Sequence, residues 1–235
     1  MNINDYFDKI YLLNLHKRKD RLNKSTAKLD SLNIKYDVFN GTDGSVIQKL
    51  WNKLDNPNFT NPNYVGCAIS HLSIYQDALH NEYEKILIIE DDNLIHNEVV
   101  NIFDSLIIPD WSDLFYLGYI PLNDDCSMWD YSFGIQGHNF ICDKIFKPTN
   151  LWGLFAYGIK SDLMREMVNL YNQEFPMEID RYFVNNIQKR GNSIAISPQL
   201  FCCDDNIYSD NLGFTPPNMT QKSIDTRFAN ISDYI

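Results

Sequence analysis

The sequence predicts an α/β fold, a central mostly parallel sheet flanked by helices. Three observations predict it. Ile86 to Ile89 is an unbroken aliphatic run, the habit of a strand covered on both faces of a parallel sheet. Similar apolar runs alternate along the chain with stretches of helical period, as βαβ units do. The run KILIIEDD (85–92) ends in Glu90, Asp91 and Asp92. Open α/β sheets hold their ligands at the carboxyl ends of such strands.

The elements follow in order. DKIYLLNL (8–15) reads as a first buried strand, and the charged stretch from Arg18 to Leu32, with Leu22, Leu29 and Leu32 spaced along it, as a surface helix. Lys35 to Phe39 is a short second strand, closed by the turn-forming run Asn40-Gly41-Thr42-Asp43-Gly44. A polar loop is expected over 52–64. Gly66 to Tyr83 carries Ile69, Leu72, Ile74, Tyr75, Ala78 and Leu79 at helical spacing and leads into the carboxylate strand. A helix near 98–107 and a strand at 113–118 come next, then an irregular, aromatic-rich stretch to residue 150 of the kind that forms active-site loops. Phe155 to Ile159 reads as a strand, 161–172 and 179–190 as helices, Gly191 as a C-cap, and Ser193 to Ile196 as the last buried strand. The polar tail from Asp204 contains Pro216-Pro217. No composition break appears, so 1–235 is expected to be one domain: a nucleotide- and metal-binding half to about residue 120, an acceptor and catalytic half over about 121–205, and a tail over 206–235.

At 235 residues the chain can bury a sizeable core. A formal net charge of −11 argues against a nucleic-acid backbone or an anionic membrane surface as partner. The start, MNINDYFDKI, lacks the basic and apolar parts of a signal peptide, and no stretch reaches membrane-spanning length. The five cysteines are odd in number and form no CxxC pair, so neither a zinc ribbon nor a disulfide framework is indicated. The expectation is a cytoplasmic protein with reduced thiols.

Three blocks carry chemistry. Glu90, Asp91 and Asp92 repel one another, and a hard divalent cation with oxygen ligands makes their clustering favourable. With the backbone extended, Glu90 and Asp92 point to the same side. Asn14, His16, Lys17, Arg18 and Arg21 set a polar and cationic edge after the first strand, where Arg18 and Arg21, three apart on a helix, can together address a phosphate. GCAISHL (66–72) offers close backbone approach at Gly66, a hydroxyl at Ser70 and an imidazole at His71. Each has a plainer reading: a solvated acidic turn, a solvated basic helix start, a structural histidine.

The acidic string also resembles the first strand of response-regulator receiver domains. There it lies near the domain start, whereas here more than eighty residues precede it, and Gly118 stands where the phosphorylated Asp should be. Without that carboxylate there is no phosphorelay.

Taken together and in order, NLHKRKDRL (14–22), Asp43-Gly44, GCAISHLSIYQDAL (66–79) and ILIIEDD (86–92) resemble glycosyltransferase family 25, which includes lipooligosaccharide and collagen galactosyltransferases. The similarity covers about the first hundred residues well. It continues loosely through WGLFAYGI (152–159), PMEID (176–180) and Ser209-Asp210.

The resemblance implies a GT-A-type nucleotide-sugar-binding fold and a metal-dependent, inverting transfer of a hexose from UDP-glucose or UDP-galactose to a hydroxyl of a glycan or protein. It implies Mn²⁺ or Mg²⁺ as cofactor, held by Asp92 and Glu90 with Asp210, Asp204 or Asp205 as a further ligand. Leu13, Asn14, Leu15, Thr42 and Asp43 would hold uracil and ribose, with Arg18, Arg21, Ser70, Glu90 and Asp91 around the nucleotide. Inversion needs a carboxylate base. Asp180 is the first choice and Glu178 the second, set against the plainer role of a carboxylate complementing a helix N-terminus. Trp152 is a candidate for stacking on a sugar. The alternative is a degenerate transferase fold kept for binding, which the presence of both Glu90 and Asp92 disfavours.

Overall fold

The computed structural model describes residues 2–51, 61–121, 139–174, 177–204 and 231–235. Its centre is an eight-stranded sheet. The strands are β1 (Lys9–Asn14), β2 (Asp37–Asn40), β3 (Lys85–Glu90), β5 (Leu114–Pro121), β6 (Asn139–Cys142), β7 (Ile145–Lys147), β8 (Leu151–Lys160) and β9 (Ser193–Ile196), in the order β2-β1-β3-β8-β5-β9-β7-β6. The pairings β1–β2, β1–β3 and β5–β9 are parallel, and β8 runs against both β3 and β5. β7 runs against β9 and β6. All strands but β7 and β8 therefore point one way, which is the mostly parallel α/β sheet the sequence predicts.

Strand alternation decides what lies on each face. Tyr11, Leu13, Ile86 and Ile88 pack on one side with α4 (Pro62–His80) and α6 (Ser161–Gln173). Ile10, Leu12, Leu87 and Ile89 pack on the other with α1 (Ile3–Tyr6), α2 (Lys19–Ser31) and α5 (Val99–Asp104). Each of Ile86 to Ile89 is at most 1% exposed, and burying such a side chain is worth about 1.5–3 kcal/mol. Both-face burial is what the continuous aliphatic run encodes.

Several elements differ from expectation. Asn61 caps α4 by accepting the Asn63 N–H, and Pro62 takes the first helical turn, where its missing donor costs nothing, so this helix starts four residues before Gly66 and ends at His80. A further helix, α3 (Gly44–Trp51), begins at the end of the turn expected over 40–44 and fills a stretch to which the sequence pattern assigns no element. Ser193 to Ile196 is not the last strand: β10 (Phe201–Cys203) pairs antiparallel with β4 (Asn93–Ile95), immediately after the carboxylates. Both are three residues long, too short to show a period. β8 extends back to Leu151, and α7 (Ile179–Tyr182) continues through a π-helical turn to Arg190, with Gly191 left-handed at φ 78°. The chain end returns to β4, where Ile95 and Ile235 exchange backbone hydrogen bonds of 2.9 Å.

Gly118 lies mid-strand opposite Ala156, and a Cβ there would meet the Phe201 carbonyl at 2.7 Å. A receiver's acceptor side chain has no room at that position.

Candidate active site

The alternation that packs the core also directs the acidic triplet. Glu90 continues the series Ile86, Ile88 toward α4, where its Oε1 lies 3.1 Å from His71 Nε2. Asp91 continues Leu87 and Ile89 toward α2. There Arg21 donates to its Oδ1 at 3.1 Å, Asn14 Nδ2 donates to its Oδ2, and Ser25 Oγ donates to its carbonyl at 2.7 Å. The chain turns after Glu90, so the extended arrangement that would align Glu90 with Asp92 is not formed. Asn93 fixes the turn by donating to the carbonyls of Glu90 and Phe155.

Beside this turn lies a cleft of about 600 Å³, open mouth included. Leu13, Leu15 and Lys17 from the β1 edge, Thr42 to Gly44, Asn63, Cys67 and Ser70 from the α4 side, and Arg21 with all three carboxylates line it. The sequence blocks thus converge on one place. Glycine makes the convergence possible. A Cβ on Gly66 would meet the Thr42 carbonyl at 2.6 Å, and one on Gly44 would meet Asn63 Cα at 2.5 Å, so the 41–44 loop and α4 touch backbone to backbone. Ser70 Oγ accepts the Thr42 N–H at 2.8 Å and donates to the Gly66 carbonyl at 2.7 Å, which ties the loop to the helix. Lys17 pairs with Asp43 at 2.9 Å.

Electrostatics concentrate at Asp92. Burial first, then the charge of Glu90, push its carboxyl up to about 7, against the pull of Arg21 at 3.2 Å. Burial likewise raises Asp180 to about 6, with Glu178 and Glu90 adding to the rise and the Arg181 N–H opposing it. Glu90 is therefore felt by both Asp92 and Asp180, although ninety residues separate it from the latter. Glu178 is the N-cap residue of α7 but makes no side-chain cap bond; it pairs with Arg181 at 3.5 Å.

Other candidates fall differently. Asn14 is 2% exposed and lies beneath the cleft, donating to Arg18 O and Asp91. Arg18 forks onto Asp20, at 3.2 and 3.1 Å, and Arg21 is engaged by Asp91 and Asp92. Asp204 donates its N–H to the Asp92 carbonyl, but its buried carboxylate pairs with Lys24. Trp152 Nε1 donates to Asn150. Asp205 and Asp210 lie outside the described residues, as do Pro176 and Ser209. Lys17, Asn63 and Cys67 line the cleft without having been singled out as binding residues. Lys17 stands in the basic run, and Cys67 is four residues before His71, a spacing that puts both on one helical face.

An acidic, glycine-hinged cleft at the carboxyl edge of a mostly parallel sheet defines an α/β protein built to bind a ligand at that edge. The model of glycosyltransferase family 25, described as an LPS biosynthesis protein family, matches residues 7–124, half of the chain. The chain belongs to glycosyltransferase family 25. It is 32% identical over 98 residues to mouse procollagen galactosyltransferase 2, covering 37% of this chain and 16% of that protein. It is 28% identical over 130 residues to the human protein of the same name, covering 48% of this chain and 21% of that one. A glycosyltransferase 25 family member of Aedes aegypti is 27% identical over 139 residues, 51% of this chain and 22% of that protein. The matched stretch is thus about a fifth of these relatives' length. Among solved structures, a glycosyltransferase involved in glycosylation of the major capsid of PBCV-1 aligns with a TM-score of 0.47 at 11% identity, over 83% of this chain and 92% of that one.

Proposed function

We propose that the chain is a metal-dependent glycosyltransferase that moves a hexose from a UDP-sugar to a hydroxyl of a glycan or protein, with inversion. The observation that supports this most directly is the cleft itself, where apolar and hydroxyl-bearing walls from Leu13, Thr42 and Ser70 face the carboxylates of Glu90 and Asp92. One wall suits a nucleoside and the other a cation on its diphosphate. The procollagen relatives are named for galactosyl transfer, so UDP-galactose is the first donor to try, with UDP-glucose beside it.

The donor set fits Mn²⁺ or Mg²⁺. Asp92 is a carboxyl raised by burial and by Glu90, and a hard cation relieves both costs. Asp92 and Glu90 would hold the ion, with Asp210 proposed as a further ligand. Bound there, the ion supplies Lewis-acid stabilisation of the departing diphosphate. Arg21 holds Asp91 and Asp92 in place and opposes the rise that burial imposes on both carboxyls. Leu13, Leu15, Thr42 and Asp43 receive the uracil and ribose. The Ser70 hydroxyl holds the 41–44 loop against them.

Asp180 is the proposed base. A carboxyl near 6 is a better proton acceptor than an ordinary Asp, yet it is mostly ionised at neutral pH. Glu178 stands next to it as the second candidate. Release of UDP from UDP-galactose and UDP-glucose, with acceptor and Mn²⁺, tests the reading. Release that is insensitive to chelator, or no release from either donor across glycan and peptide acceptors, overturns it.

A further inference from the structure

Next to the acidic triplet the fold gathers a softer set of donors. Cys67 and His71 share one face of α4, and Glu90 leaves β3 opposite them. One ligand atom from each, the Cys67 sulfur, a His71 ring nitrogen and a Glu90 carboxylate oxygen, all lie within 4.8 Å of one another. His71 is fully buried and its ring is fixed from behind. Nδ1 lies 2.8 Å from the Tyr157 hydroxyl, which lies 2.6 Å from the Tyr75 hydroxyl, and both tyrosines are fully buried. That leaves Nε2 turned toward Glu90. A hydroxyl or carbonyl on the far nitrogen is what fixes tautomer and orientation in a metal-ligating histidine.

The chain of hydroxyls can carry either polarity, because each tyrosine O–H donates or accepts. With Nε2 protonated, Nε2–H donates to Glu90 and Tyr157 donates to Nδ1. With Nδ1 protonated, Nδ1–H donates to Tyr157 and Tyr157 donates to Tyr75. Nε2 then presents a lone pair beside a carboxylate and a sulfur, an arrangement a cation completes. Cys67 is half-buried and lines the cleft, so an ion has a way in.

We propose that Cys67, His71 and Glu90 form a site for a thiophilic divalent cation of the Zn²⁺ class, with a fourth position open to the cleft. One sulfur, one imidazole and one carboxylate match Zn²⁺, whereas Mn²⁺ and Mg²⁺ favour oxygen. Binding releases the Cys67 thiol proton to solvent, while the imidazole stays neutral with its proton on Nδ1. The site shares Glu90 with the oxygen site, so Zn²⁺ takes that carboxylate from the donor cleft and inhibits. The inhibition rests on the role given to Glu90 above; the cation site does not.

Co²⁺ is the probe. Titrated into the metal-free protein, it should give one equivalent of a near-ultraviolet thiolate-to-cobalt band, abolished by stoichiometric Zn²⁺. Cys67→Ser, checked for an unchanged far-ultraviolet circular dichroism spectrum, should lose the band and weaken Zn²⁺ binding by about tenfold or more. Asp92→Asn should keep both. No band in the wild type, a band that survives Cys67→Ser, or one lost in Asp92→Asn overturns the site. X-ray absorption at the zinc edge of the wild type needs no variant: one sulfur with nitrogen and oxygen supports the site, and a shell without sulfur overturns it. An intact cobalt band in a protein that transfers no sugar refutes the transferase reading alone.

Discussion

Arg21 donates to Asp91 at 3.1 Å across seventy residues of sequence, and both side chains are almost fully buried. This ion pair joins α2 to the end of β3 and holds the turn on which Asp92 stands. Breaking a buried pair strands the remaining charge. Arg21→Met should therefore lower unfolding stability by about 3–5 kcal/mol, read by urea denaturation. Asp91→Asn, which keeps the Asn14 contact, should cost less.

Gly66 brings α4 against the 41–44 loop. Gly66→Ala puts a methyl group 2.6 Å from the Thr42 carbonyl, a backbone atom that cannot rotate away. The loop should shift, at a cost of about 1–3 kcal/mol in stability, with weaker UDP binding measured by calorimetry. Gly191→Ala, at a left-handed turn where the added carbon meets Lys147 Nζ at an ordinary 3.7 Å, should lose stability without loss of UDP binding.

The raised carboxyls set a pH dependence. An unfolded Asp titrates near about 3.9, while Asp92 stands at about 7 and Asp180 at about 6 in the fold. Between those values the folded state binds more protons, so these groups make stability fall as pH rises from about 4 through 7. Chemical denaturation of metal-free protein at pH 5.5 and 7.5 should show that loss, and Asp92→Asn should reduce it. Saturating Mn²⁺ should flatten the slope, because the ion stabilises the ionised form.

Asp180→Asn removes the proposed proton acceptor but keeps the shape. Its kcat should fall by about 10²-fold or more with the donor KM little changed. Glu178→Gln should have the smaller effect, and the reverse ranking would exchange their roles.

The fold was legible where packing alone dictates structure. Ile86 to Ile89 announces a strand buried on both faces, and the same alternation, carried two residues further, sends Glu90 to α4 and Asp91 to α2. What was not legible depends on partners distant in sequence. Asp91 is held by Arg21, Asn14 and Ser25, all more than sixty residues earlier in the chain, and no local pattern announces those contacts. The alignment of Glu90 with Asp92 required an extended chain, and the turn held by Asn93 removes it. β4 and β10 are too short to show a period, and their pairing spans about a hundred residues. Cys67 carried no signal as a cysteine, because its partners are a histidine one helical turn away and a strand-end glutamate.

The most direct measurement is calorimetric binding of UDP with and without Mn²⁺, for wild type and Asp92→Ala. The cleft reading predicts binding that requires Mn²⁺ and is weakened by at least about a hundredfold in Asp92→Ala, in keeping with the several kcal/mol such an ion contributes. UDP binding of equal strength without the metal, or unchanged in Asp92→Ala, would contradict it.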